Sequence, residues 1–466
     1  MGVQTGRLLN YVSELQKQIR ESQEIIALHY THGNSNTTRS KAYKRGCKTL
    51  SCQGLDQVLH VNVERKRAQV LPRVTMETLV RSTLPYGLIP PVLPEFKGIT
   101  VGGAIMGAAA ESGSHRWGIF HDTCTEVQLI DGAGNLITAS PTQNPSLFYG
   151  ISGSYGSLGM LACAEVKLVP ALPTVFLRYH PFKDPHEALE KMMGLVGHTD
   201  FLDGILFGPH HGVIITGEMI CEQAPASSFQ WFAGHAQTIT SYHEEKMPLF
   251  DYLFRYDEGA FWMGSLLFKP GFLARYCVQG LMKCPATQNH FSDREIARFK
   301  HFSYPSMCMR KLARPFMSSR RLWGLLHRAE NWIQDRLVIQ DCLIPTPQAH
   351  HFLTGILKDP GIYPLWFCPL KGTDTPQHFA PHMGHPSLIN FGLYGTPAYS
   401  APMEQIMKTL EARTHACEGR KVLYSRSDYT EEDFWKIYPQ KEYELLRQQT
   451  HAQGVWRGLT EKVLSH

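Results

Sequence analysis

No stretch of this sequence is long and apolar enough to span a bilayer, which takes about 20 residues. Its least polar runs, Gly98–Ala110 and Ile151–Ala164, are crowded with glycine instead. The N-terminus lacks a basic-then-apolar signal pattern and opens on an amphipathic helix, Leu8–Ser22. Met1-Gly2 does not start a myristoylation signal, because Gly6 stands where serine or threonine is needed. CxxC pairs are missing, and the 11 cysteines are odd in number and scattered. That pattern excludes a disulfide framework or a zinc module and favours reduced thiols in a cytosolic setting. The sequon Asn36-Thr37-Thr38 would matter only in a secreted chain, which nothing else supports. HExxH spacing is absent, and the side chains of His210-His211 and His350-His351 diverge, so no metal site is expected. The formal charge of +5 is too small and too diffuse for a nucleic-acid partner.

What is present describes a buried, globular chain. Hydrophobic residues reach 43% against 19% charged, and 466 residues exceed one core, so at least two domains are expected. An extended segment at Glu24–Tyr30 follows the first helix, and a polar run, His32–Ser40, follows that. Val58–Val63 and Ala68–Val74 alternate across a charged turn and form a hairpin. Met76–Leu84 is helical until Pro85 and Gly87, and Leu88–Pro94 is too rich in proline for helix and crosses between lobes. A second hairpin joins Val127–Ile130 to Leu136–Ala139, and Leu161–Val169 is a strand. After Pro170–Thr174 the texture changes to dense aromatics, longer helices and few glycines, which marks a domain boundary. Leu388–Tyr394 reads as a strand and Met403–Thr414 as a helix, and from Lys421 a strand, an acidic turn and a last helix close the chain.

Three loops in the first third share one chemistry. They are His32–Arg39, Thr100–Gly107 continuing to Ser112–Gly118, and Gly150–Gly159. Glycine allows unusual dihedrals and close approach of backbone N–H groups to a pyrophosphate, and Ser, Thr and Asn add short donors. None is a Walker loop or a dinucleotide GxGxxG with its ribose-binding acid. Any one of them could be an ordinary turn. Three together point to a phosphate-bearing cofactor held by neither a P-loop nor a Rossmann fold.

In this order the segments resemble the FAD-binding domain of the vanillyl-alcohol oxidase and p-cresol methylhydroxylase (PCMH-type) superfamily. Leu93–Gly103, Glu111–Gly118 and Gly156–Gly159 are similar to its delta-24 sterol reductase branch, as are Arg255–Trp262, Val338–Asp341, Tyr363–Pro369, Phe391–Gly395 and Phe434-Trp435. The resemblance covers nearly the whole chain. It implies an α+β fold, with a PCMH-type FAD-binding domain at 1–173 and a cap at 174–415 built on an antiparallel sheet flanked by helices. A C-terminal segment, 416–466, returns to the FAD domain. By the same resemblance Gly33, Asn34, Ser35, Asn36 and Thr37 hold the pyrophosphate. Thr100, Gly102, Gly103, Gly107, Ser112 and Ser114 line the phosphate and ring, and Gly153, Gly156 and Gly159 let the backbone approach the flavin. His115 and Arg116, polar residues in a stretch with few others, are expected near flavin or phosphate.

Covalent members of the superfamily place a histidine near Asn36, or a cysteine where Lys97-Gly98 stands here, so the FAD is expected to be non-covalent. Animal and plant members of the branch begin with a membrane anchor that this sequence lacks. The expected setting is therefore cytoplasmic, with peripheral contact to the endoplasmic reticulum membrane at most. The implied reaction uses NADPH and flavin N5 to deliver hydride to a carbon–carbon double bond of a hydrophobic, sterol- or terpenoid-like substrate. An isolated alkene accepts hydride poorly, so a well-placed acid must supply the proton. Tyr256, Asp257, Tyr363 and Tyr394 are the candidates, each of which could equally be a satisfied polar residue in an aromatic core. Arg255 fits a cofactor contact or a core ion pair, and Trp366 and Cys368 fit a substrate channel or plain packing. Two other functions remain open: alcohol oxidation of the vanillyl-alcohol oxidase type, and a lipid-binding relative without turnover.

Overall fold

The computed structural model describes residues 2–29, 37–225, 231–268, 305–327, 336–375, 379–382, 384–397 and 401–464. The expected residues Gly33, Asn34, Ser35 and Asn36 lie outside these.

The first lobe is built on a five-stranded antiparallel sheet in the spatial order Val58–Asn62, Arg67–Val70, Met160–Lys167, Cys124–Ile130, Leu136–Ala139. Both hairpins expected from sequence are in it. Ile26–His29 and Lys48–Ser51 form a separate parallel pair. The opening helix, Gly2–Arg20, buries Val12, Leu15 and Ile19, and Gln16 and Arg20 donate to the carbonyl of Gly134 in the second hairpin turn. The glycine-rich second loop is not all loop. Thr100, in extended conformation, accepts from the Gly103 N–H through its hydroxyl and starts a helix over Val101–Met106.

The cap is built on an eight-stranded antiparallel sheet flanked by helices, as the resemblance implied. Its order is His243–Pro248, Thr174–Phe182, His211–Ile220, Phe201–Gly208, Leu365–Lys371, Ser387–Gly395, Val338–Pro345, Arg420–Lys421. Every neighbouring pair is antiparallel. Strand alternation decides which residues face the first lobe. Leu202, Leu206, Val338, Cys342, Phe367, Phe391 and Leu393 form one core with the helices Pro185–Leu195, Ala349–Lys358 and Met403–Ala416. Their strand neighbours Asp203, Asp341, Trp366, Asn390 and Tyr394 point the other way, toward the first lobe. A sheet covered by helices on one face and by a second domain on the other reads as nearly continuous apolar sequence, which is why few of its strands besides Leu388–Tyr394 were legible.

The last segment ties the two lobes together. Arg420–Lys421 extends the cap sheet beside Leu343 and Cys342. Farther on, the Ile26 N–H donates to Val455 O (2.7 Å), Gly132 N–H to Thr450 O (2.8 Å) and Arg447 to Ser157 O (2.6 Å). Among the described residues no helix is long and apolar enough to cross a membrane, and no cluster of three or more His, Cys, Asp or Glu could hold a metal.

Candidate cofactor and substrate site

One continuous cavity of about 790 Å³ runs between the lobes, in the upper part of the roughly 300–1,000 Å³ typical of cofactor and ligand sites. Its two ends differ in chemistry.

The end in the first lobe is basic and small-sided. Thr37, Thr100, Gly102, Gly103, Gly107 and Gly156 line it together with Arg39 and Lys462. Arg39 is buried, stacks 4.4 Å over the Tyr155 ring and donates to Leu423 O, while its Nε has no partner. Lys462 donates to the carbonyls of Gly156 (2.8 Å) and Tyr155 (3.2 Å). Burial first, then the charges of Arg39, Arg447 and Lys44, lower its pKa to about 7. Two cations, one buried and one half-buried, that are bonded to carbonyls instead of carboxylates are costly alone and are satisfied by an anion. Gly156 adopts φ +73, which glycine takes without strain, and its lack of a side chain leaves room beside Lys462. These features fit the diphosphate of FAD.

The cap end is aromatic. Tyr256, Phe261, Trp262, Trp323, Trp366 and Tyr394 wall it, and Trp262 stacks parallel to Tyr394 with centroids 6.1 Å apart. Behind the wall sits an ion cluster. Arg255, whose side chain is 1% exposed, bonds Glu111 (2.9 Å) and Asp203 (3.0 Å) and lies over the rings of Tyr252 and Tyr256. Asp203 also accepts from the Tyr256 hydroxyl (2.7 Å) and the Trp366 indole (3.1 Å). A second carboxylate, Asp341, accepts from Tyr394 (2.8 Å), Tyr424 (2.7 Å) and Asn390 (2.9 Å). Burial and the neighbouring carboxylates raise the hydroxyl pKa values of Tyr256 and Tyr394 well above the usual phenol range.

The residues expected from sequence divide between this cavity and the packing around it. Thr37, Thr100, Gly102, Gly103, Gly107, Gly156, Tyr256 and Tyr394 line the cavity. The others do not. Ser112 bonds the Glu111 carboxylate and Tyr252, and Ser114 accepts from the Glu111 N–H. His115 Nδ1 accepts from Gly197 N–H (3.2 Å), and burial lowers its pKa to about 4. Arg116 pairs with Asp200 at 2.6 Å. Ser112, His115 and Arg116 make the seam between the lobes and Ser114 braces its own loop, a correction to the expected place of all four at flavin or phosphate; the sequence could not show the cap partners of the first three. Gly153 (φ +77) abuts the backbone of Phe379, and Gly159 that of Ile130, so both serve close packing behind the cavity. Asp257 accepts from Lys97 N–H (2.9 Å) and from Ser319, and Tyr363 is half-buried against the outer cap core. Neither lines the cavity. Arg255 is a core ion pair, Trp366 a wall residue, and Cys368 a thiol donating to Glu111 O (3.3 Å).

Sequence reasoning passed over Asp203, Asp341, Arg39, Lys462 and Glu95. Glu95 lies in the cavity wall on the proline-rich crossover, and burial, then the charge of Glu111, pushes its carboxyl pKa up to about 8. No local pattern marks these residues. The available signals were that Arg39 ends the first loop, that Glu95 directly follows the crossover Leu88–Pro94, and that Glu95 and Asp341 lie in segments that carry the resemblance.

Comparison with known proteins follows the same division. A sequence-family model for an FAD binding domain matches residues 12–140. Delta(24)-sterol reductase of Homo sapiens is 27% identical over 97% of this chain and 85% of its own length. That of Arabidopsis thaliana is 25% identical over 87% of this chain and 74% of its own. Cytokinin dehydrogenase 9 of Oryza sativa is 30% identical, but over only 29% of this chain and 27% of its own length. The long matches therefore cross both lobes, whereas the last stays within a domain-sized piece.

Proposed function

We propose, from the premise that this chain is an FAD-dependent oxidoreductase of the PCMH-type superfamily in its delta-24 sterol reductase branch, that it reduces a side-chain double bond of a sterol-like substrate with NADPH as electron donor. The observation that supports this reading is a single cavity whose basic end suits a diphosphate and whose other end is an aromatic wall suited to a hydrophobic substrate.

Bound FAD, once reduced, supplies hydride to one alkene carbon. The chain's own residues do the rest. Arg39, Lys462 and Thr37, with the glycines at 103, 107 and 156, hold the phosphates, and the loop at 33–36 joins them in this reading. Trp262, Tyr394, Trp366 and Phe261 keep water from the ring and the alkene. The Arg255 cluster and the Asp341 cluster fix that wall in place through hydrogen bonds from Tyr256, Trp366 and Tyr394. The FAD is held without a covalent link. Among the described lining residues the one thiol is Cys52, pushed up to about 11 by burial, and no imidazole lines the cavity.

A visible spectrum of the purified protein tests the proposal. Flavin bands released by acid precipitation, bleached anaerobically by NADPH and restored by a Δ24-unsaturated sterol are the expected result. Flavin that NADPH leaves oxidised but an alcohol bleaches would replace this reading with alcohol oxidation.

A further inference from the structure

An alkene reduction needs one proton as well as one hydride, and the candidate acids can be sorted by what they already bond. The tyrosines of the aromatic wall are occupied. Tyr256 donates to Asp203 and Tyr394 to Asp341, both as neutral phenols beside a carboxylate. Asp341 is committed to three donors, which oppose the rise in its pKa that burial causes. Asp203 and Glu111 bond Arg255 behind the wall.

Among the described residues, the carboxyl side chains that line the cavity are Asp56, Glu95 and Asp341. Asp56 is exposed at the first-lobe end. Glu95 differs from both. Its neighbours Leu93 and Phe96 are buried and anchor the crossover on either side. Lys97, two residues on, is pinned to the cap through Asp257. The backbone N–H of Glu95 and, more weakly, the charge of Arg255 are what favour the ionised form of its carboxyl.

We propose that Glu95 is the general acid of the reaction, donating its proton to the substrate carbon that does not receive hydride. The inference rests on the alkene-reductase reading above. In the balanced step the π bond breaks and two C–H bonds form. One uses hydride from the dihydroflavin and the other the proton of the Glu95 carboxyl, which is left as carboxylate and regains a proton from solvent.

The surroundings hold that carboxyl neutral near pH 7. Burial is the main cause of its raised pKa of about 8; Glu111 and Asp341 add to it, and Arg255 opposes. Tyr394 and Tyr424 also face the group and feel its charge when ionised. An acid of this strength is matched to proton transfer at neutral pH. Asp341 and Glu95 thus play different parts, one committed to orienting tyrosines and the other a removable proton.

Rapid mixing of the purified holoenzyme separates the steps. Glu95→Gln is expected to keep its FAD and to be bleached by NADPH at the wild-type rate. Reoxidation of its flavin by a Δ24-unsaturated sterol should fall by about 10²- to 10⁴-fold, the usual contribution of a general acid. Glu95→Asp should restore part of that loss. In the wild type the same reoxidation rate should be flat at lower pH and fall as pH rises above about 8. Infrared difference titration of the oxidised holoenzyme supplies a readout independent of turnover. It should show a protonated-carboxyl band disappearing near the same pH, and Glu95→Gln should lack that band. Reoxidation of Glu95→Gln at the wild-type rate, or an unchanged infrared band, would overturn the assignment while leaving the reductase reading intact. A wild-type dihydroflavin that the sterol cannot reoxidise would overturn both.

Discussion

Arg255→Met isolates the largest electrostatic commitment in the cap. Arg255 is almost wholly buried and is the one cation bonded to both Glu111 and Asp203 among the described residues. Removing it leaves two buried carboxylates facing each other, where loss of one partner of a buried pair costs about 3–5 kcal/mol. The guanidinium also stacks 4.2 Å from the Tyr252 centroid and 4.4 Å from that of Tyr256, worth roughly 0.5–2 kcal/mol more. Methionine keeps much of the volume, so a loss of about 4 kcal/mol is expected in denaturant unfolding followed by tryptophan fluorescence, with Trp366 bonded into the same cluster.

Arg178→Met is the matched control. Its side chain is 29% exposed and pairs with Glu218 at the surface, so the loss there should stay below about 1 kcal/mol. The sign of the pH dependence also follows. Glu111 is raised by burial and lowered by Arg255, so removing the arginine raises it further. A carboxyl raised in the folded state is most favourable below its unfolded pKa and loses stability as pH rises through the folded value. The Arg255→Met deficit should therefore be smaller in mild acid than at pH 7 and above. A deficit no larger than that of Arg178→Met, or one independent of pH, would refute the description of this cluster as a buried, mutually dependent unit. The triple change Arg255→Met, Glu111→Gln, Asp203→Asn should recover part of the loss, since neutral replacement of a whole buried cluster is often tolerated.

The remaining expectations concern the cofactor end and the seam. Lys462→Met should weaken FAD binding, measured by flavin fluorescence, and flatten its salt dependence. In the wild type, affinity should fall as pH rises through about 7, because the apoprotein lysine is charged only below that value and an anion favours the charged form; equal affinity for variant and wild type would place the diphosphate elsewhere. Gly153→Ala should lower the melting temperature, because φ is +77 there and a methyl group would meet the Phe379 carbonyl. Tyr394→Phe removes one of three donors to Asp341 and should cost about 1.5–3 kcal/mol, the range for a hydrogen bond to a charged group. An unchanged unfolding midpoint would show that Asp341 is not held as described.

The first lobe was the more legible half. Its two hairpins, the Met76 helix and the glycine-rich loops carry local signals, in which turn residues, strand alternation and prolines act over a few positions. The helix at Val101–Met106 was missed because glycines at 102 and 103 argue against helix. The Thr100 cap and the Gly102 N–H bond to Pro72 O (2.8 Å) hold it instead. In the cap, the sheet is covered on both faces, so apart from Leu388–Tyr394 its apolar sequence gave little period to read.

By itself the sequence pointed to a phosphate-bearing cofactor, because close phosphate contact requires small residues in contiguous loops; the need for an acid followed from the reaction that the resemblance implies. It also set the crossover, since proline at 90, 91 and 94 forbids helix in any context. Only the tertiary structure decided the partners. Arg255 finds Glu111 from 144 positions away, and Asp341 gathers Tyr394 and Tyr424 across 53 and 83. His115 and Arg116 turned to the cap for the same reason. A side chain's ionisation and role depend on which charges and how little water surround it, and those are set by segments that the chain brings together from far apart.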